Sequence, residues 1–92
     1  VSYDVNTLTK EGRRRLRRVA KACEGYGQRV QFSVFECQVD DTHWVELRER
    51  LLANIHTGED TLRFYFLPGG IFESCEHHGI KPSFDAEGSL VL

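Results

Sequence analysis

The 92-residue sequence has no methionine, a single tryptophan, two prolines and three cysteines. No apolar run approaches the roughly 18 residues a membrane span needs, so no membrane association is expected. Cys23, Cys37 and Cys75 are odd in number and lack CxxC spacing, which argues against a disulfide framework and for a reducing cytoplasm. The opening residues lack a basic segment followed by a long apolar core, so no signal peptide is expected. With methionine absent even at position 1, the first strand is expected to continue upstream of Val1. A glycine-rich phosphate cradle is also missing, which weighs against a regulatory domain for a small metabolite.

The chain length fits one small domain, 1–92, that buries only a modest share of its surface when it folds alone and so leaves room for a partner. Its net charge of −2 hides an asymmetry. Residues 1–39 hold eight of the twelve basic side chains against four acids, and the remainder is acidic. One basic half suggests a face for polyanions.

The first stretch, Val1-Ser2-Tyr3-Asp4-Val5, has strand character, with Val1, Tyr3 and Val5 on one side and Ser2 and Asp4 on the other. Thr9 is the expected N-cap of a helix over 10–24, where Leu16, Val19, Ala20 and Cys23 form a buried stripe at i, i+3, i+4 and i+7. Lys10, Arg13, Arg14, Arg15, Arg17, Arg18 and Lys21 make up most of the rest of that helix. Residues 28–39 carry the strongest strand pattern, but its phase shifts near 33–35, which implies either a bulge or kink dividing two short strands or a run covered on both faces. Asp40 or Asp41 caps a second helix to about residue 55, with a stripe of Trp44, Leu47, Leu51, Leu52 and Ile55. A strand over 61–67 and a turn at Pro68-Gly69-Gly70 follow. A further short strand within 71–80, an irregular stretch 81–88 and an apolar run 89–92 complete the chain.

This order implies an α+β, ferredoxin-like (split βαβ) antiparallel sheet with both helices on one face. The core spans about 1–67, and the extension 68–92 is expected to pair with a partner protomer's sheet. Two helices on one face leave the other open. Phe35, Tyr65 and the apolar tail are placed on or near that open face, so the expectation is a homodimer whose sheets face each other, with Asp4 turned toward its copy.

A lone strand-end carboxylate is usually a cap or turn residue, but Asp4 also suits a hard cation, for which oxygen donors are preferred. Two copies of Asp4 plus phosphate oxygens form an acceptable site for Mg²⁺ or Mn²⁺, from which water would attack a phosphodiester. The nearly acid-free Arg run offers either a solvated helix face or cations that neutralise a nucleic-acid backbone. Ser33 fits a hydroxyl near phosphate or a bulge, and Phe35 a stacked base or, more commonly, a packed core ring. Cys75-x-His77-His78 hints at zinc but lacks a second ligand pair at zinc spacing.

Together, Tyr3-Asp4, the basic helix from Arg13 to Lys21, Tyr26-Gly27-Gln28-Arg29-Val30-Gln31, Ser33-Val34-Phe35-Glu36-Cys37, Trp44 and Leu62-Arg63-Phe64-Tyr65 resemble the CRISPR-associated protein 2 family, with most likeness to its subtype I-C branch. The resemblance implies a ferredoxin-like homodimer that acts in spacer acquisition, bridging dimers of the CRISPR integrase (CRISPR-associated protein 1) on DNA. It also implies a divalent-metal-dependent endonuclease acting on DNA, with single-stranded RNA as the other candidate. The resemblance implies Asp4 as catalytic metal ligand, Arg13, Arg15 and Arg29 toward nucleic acid, and Tyr3, Ser33 and Phe35 in support; Arg14, Arg17 and Arg18 join the nucleic-acid candidates from the Arg run itself. From Pro68 onward the sequence departs from that branch, which usually places Trp and several Arg there. The rival expectation is a non-catalytic adaptor that holds DNA on its basic face and the integrase on its sheet edges and tail.

Overall fold

The structure is a computed structural model and describes residues 1–80. The irregular stretch 81–88 and the apolar run 89–92 lie outside the described residues. The elements are β1 (Ser2–Asp4), α1 (Lys10–Glu24), β2 (Gly27–Gln31), β3 (Val34–Cys37), α2 (Asp41–Ala53), β4 (Thr61–Phe66), a 3₁₀ turn (Pro68–Gly70) and β5 (Ser74–Gly79). The strands form one sheet in the order β2-β3-β1-β4-β5, with every neighbouring pair antiparallel. This is the α+β, ferredoxin-like arrangement that the element order implies.

Both helices start where the sequence places capping side chains. The Thr9 hydroxyl accepts the Gly12 N–H at 3.0 Å, and the Asp40 carboxylate accepts the His43 N–H at 2.8 Å. Tyr3, Phe35, Leu62 and Phe64 supply the sheet side of the core, against Val19, Ala22 and Cys23 of α1 and Leu47 and Leu51 of α2. Each large aliphatic or aromatic side chain among them contributes about 1.5–3 kcal/mol by leaving water. Trp44 seats α2 on β4, edge-on to Phe64 and Phe66 with ring centroids 4.7 and 5.4 Å away.

The phase shift in 28–39 is a chain reversal. Phe32 and Ser33 form a two-residue turn, Gln31 faces Val34, and a bulge between Arg29 and Gln31 absorbs the odd residue. The reversal corrects the placement of Phe35: it lies in the core at 1% exposure, stacked on Tyr3 with centroids 6.2 Å apart. Tyr65 does lie on the open face, exposed.

The described part of the extension pairs within the chain. Its strand β5 pairs with β4 of the same chain along its whole length, from Thr61 opposite Gly79 to Phe66 opposite Ser74. Arg48 of α2 fastens that strand, its Nε and Nη2 donating to Glu76 Oε2 at 2.9 and 2.6 Å. That pairing, with help from His78, holds the Glu76 carboxyl below its ordinary range despite partial burial. Strand alternation places Cys75 and His77 on one face and His78 on the other, so the three cannot converge on a zinc ion.

Candidate active site

The residues of interest gather at one end of the sheet, where β1 and β5 finish, β4 begins and the β2–β3 turn lies. Tyr3 and Val5 are buried toward the helices, and Asp4 between them is exposed on the open face. Asp4 lies opposite Thr61 in the ladder. On the same face, Ser2 is flanked by Val34 and Arg63, and the Arg63 Nε–H donates to His77 Nδ1 at 3.0 Å.

A second carboxylate, absent from the sequence-based expectations, lies one position from Asp4's ladder partner. Asp60 is fully buried, the one charged side chain so placed among the described residues. Its Oδ1 accepts the Asn6 N–H at 3.0 Å and Arg15 Nη2 at 3.1 Å. Its Oδ2 accepts the His56 N–H at 2.7 Å and Arg15 Nε at 2.8 Å. Burial pushes its pKa up, but the Arg15 guanidinium and the two backbone N–H groups outweigh it, and the carboxyl lies below its ordinary value. The only local hint is an acid directly before a strand. Nothing in the spacing points to its partner, 45 residues away.

The Arg-rich helix divides accordingly. Arg14, Arg17, Arg18 and Lys21 are exposed or half-exposed, as is Arg13, whose Nη1 donates to Thr7 O at 3.2 Å and braces the β1–α1 loop. Arg15, expected among the phosphate-facing cations, turns inward onto Asp60, which takes its Nε and Nη2 N–H groups as a bidentate pair. Arg29 sits over the Phe35 ring, 5.1 Å from its centroid, and pairs with Glu24 at 3.4 Å, leaving its head half-exposed at the sheet edge.

Tyr3 and Ser33 act through packing and backbone. Burial raises the Tyr3 pKa, its hydroxyl donates to Phe32 O at 3.3 Å, and its N–H donates to Ser33 O at 3.0 Å, fastening the turn beside β1. The exposed ring at this end is Phe32, 90% accessible at the tip of the turn. Sequence parity favours Phe35 for this position because it does not show that the chain reverses between the two.

The CRISPR associated protein Cas2 family model matches residues 1–74. The chain belongs to that family. Among Cas2 relatives, it is 58% identical to the CRISPR-associated endoribonuclease Cas2 of Chlorobaculum tepidum, over 100% of this chain and 96% of the relative. It is 48% identical to the CRISPR-associated endonuclease Cas2 of Halalkalibacterium halodurans, again over 100% of this chain and 96% of the relative. The crystal structure of Streptococcus pyogenes Cas2 superposes with a TM-score of 0.60 at 41% identity, covering 87% of this chain and 81% of that one.

No group of three or more metal-ligating side chains occurs among the described residues. Asp4 nevertheless suits a hard cation: it is exposed, and the guanidinium and backbone donors nearby go to Asp60. One carboxylate fits an ion that arrives with substrate phosphates, as Mg²⁺ commonly does, better than an ion caged by this chain alone.

Proposed function

We propose that this chain is an endonuclease of a CRISPR system that hydrolyses phosphodiester bonds, with Asp4 as its reactive-centre carboxylate. The observation that carries the reading is an exposed acid on the open sheet face, set between buried neighbours on a strand whose backbone is held on both sides. Relatives named as endoribonuclease and as endonuclease support a nucleic-acid substrate.

On this reading Asp4, together with its copy in a second protomer, would hold a Mg²⁺ or Mn²⁺ ion, the carboxylate supplying oxygen donors that a hard cation prefers. When bound, the ion neutralises charge that develops on the phosphoryl oxygens and makes water a better nucleophile. The chain's own residues place the substrate. Arg13 at the loop end of α1 attracts a flanking phosphate, and the exposed Phe32 ring offers a stacking surface for an unpaired base.

The test is cleavage of single-stranded RNA and duplex DNA by wild type and Asp4→Asn, with Mg²⁺ titrated. Asp4→Asn is expected to lower kcat by about 10³-fold or more, with nucleic-acid affinity within about twofold. Undiminished cleavage by the variant, or cleavage unaffected by EDTA, rules out the reading.

One observation favours a second, compatible role. Arg14, Arg17, Arg18 and Lys21 line the outer side of α1, which packs on the face of the sheet opposite to Asp4. Phosphates bound along that helix are therefore not the ones cleaved at Asp4 of the same chain, which suits a homodimer that also carries DNA for the CRISPR integrase in spacer acquisition. Reversing Arg14, Arg17 and Arg18 to Glu is expected to abolish acquisition in cells and spare cleavage of a short RNA.

A further inference from the structure

We propose that Asp60 and Arg15 form a clamp that positions Asp4 for catalysis, and that Arg15 is a positioning residue rather than a phosphate ligand. The inference rests on the nuclease reading above and goes further, assigning work to a residue pair outside the reactive centre.

The clamp acts on the backbone just after Asp4 and on the strand across from it. Asp4 is paired with Thr61, the residue that follows Asp60, and Asn6, two residues after Asp4, donates its N–H to the Asp60 carboxylate. Asn6 is held on two further sides. Its Oδ1 accepts the Leu8 N–H at 2.9 Å, making an Asx turn. Its carbonyl lies so close to α1 that a Cβ on Gly12 would fall 1.8 Å from the oxygen, so only glycine permits the approach. Arg15 carries the same constraint into α1, and His56 N–H carries it into the α2–β4 loop.

The far side is closed by the end of β5. Ile80 N–H donates to Asp60 O at 2.9 Å, and the Thr61 hydroxyl donates to Ile80 O at 3.0 Å. At Gly79, φ is +94° and a Cβ would lie 1.9 Å from the same Asp60 carbonyl. Asp60 is thereby shut off from water, and its four donors are arranged one backbone N–H and one guanidinium N–H per oxygen.

Such an arrangement exceeds what capping a loop requires. Asp4 makes its chemistry from an exposed side chain on a three-residue strand, so any drift of that strand end displaces the carboxylate directly. A displacement of about 1 Å at a reacting group costs on the order of 10²-fold in rate. The clamp fixes the frame while leaving the Asp4 head free for its ligand.

The test compares Asp60→Asn, Arg15→Lys and Asp4→Asn in the full chain. The amide introduced by Asp60→Asn replaces one of the two acceptor oxygens with an N–H donor, so at least one of the clamp's N–H groups then faces another. Asp60→Asn is expected to lower kcat about 10²-fold on a short RNA, and Arg15→Lys about 10-fold, with KM and the salt dependence of binding unchanged. Independently of activity and of metal, amide hydrogen exchange at Asn6 and His56, whose N–H groups donate to Asp60, is expected to speed up in both variants, with core amides of α1 and β4 protected as in wild type. Wild-type kcat in a folded variant, or unaltered exchange at Asn6, overturns the clamp. A raised KM with a shallower salt slope in Arg15→Lys also overturns it, since that is how a phosphate ligand behaves. If Asp60→Asn does not fold, Arg15→Lys decides by the same criteria. Failure of the underlying reading has its own signature: Asp4→Asn then cleaves as fast as wild type.

Discussion

Two aspartates meet at one end of the sheet in opposite circumstances. Asp60 is fully buried and receives four hydrogen bonds, and Asp4, across the ladder from Asp60's neighbour, is exposed. A buried carboxylate must be paired to be tolerated, and once paired it is chemically spent. An exposed one on a rigid strand keeps its lone pairs for a cation or a substrate. The pair separates the frame of the site from its chemistry, and each half is open to a different perturbation.

The largest expected effect falls on the exposed member. Asp4→Asn lowers cleavage by about 10³-fold or more and leaves the fold intact, since no core contact is lost. Thermal unfolding within about 0.5 kcal/mol of wild type would bear out the division of labour. Asp60→Ala reverses the pattern. It leaves Arg15 and two backbone N–H groups without their acceptor, and is expected to cost about 3–5 kcal/mol in stability, read as a drop in denaturation midpoint. If Asp60→Ala unfolds at the wild-type midpoint, the buried pair is not structural.

One of these carboxylates is legible in the sequence and the other is hidden. Asp4 stands out because an acid at a strand end, on the face away from Tyr3 and Val5 and ahead of an Arg-rich helix, is poorly explained by packing. Asp60 does not, because its meaning depends on Asn6, Arg15 and His56, and proximity across the fold leaves no trace in local spacing. The helices, their caps at Thr9 and Asp40 and the strand 61–66 are readable for the converse reason: period and capping chemistry are local. Phe32 and Phe35 show the boundary between the two cases. The phase shift is visible, but whether it marks a kink or a reversal decides which ring is buried.

Those two rings give a smaller version of the same comparison. Phe35→Ala removes a core ring at 1% exposure and is expected to cost about 3–5 kcal/mol of stability. Phe32→Ala, at 90% exposure, should change stability by less than about 0.5 kcal/mol and weaken binding of single-stranded RNA by about 1–3 kcal/mol, measured by titration against a fluorescent oligonucleotide. Equal RNA affinity for wild type and Phe32→Ala would leave the exposed ring without a role in binding.

The smallest effect is a pH dependence that belongs to Asp60. Its folded pKa is lowered, so ionised Asp60 adds stability in full above the unfolded carboxylate value of about 3.9. That stability is lost as pH falls through the lowered folded value, because the unfolded chain then gains the proton more readily than the folded one. Unfolding midpoints measured from pH 6 downward should therefore fall as the medium acidifies below about pH 4. Glu76, held low by Arg48, acts in the same direction, so the slope should diminish in Asp60→Asn but not vanish. An unchanged slope in Asp60→Asn would place the acid sensitivity elsewhere, at the α2–β5 tie or at the Asp40 cap of α2, whose carboxyl His43 holds low, and not in the frame around Asp4.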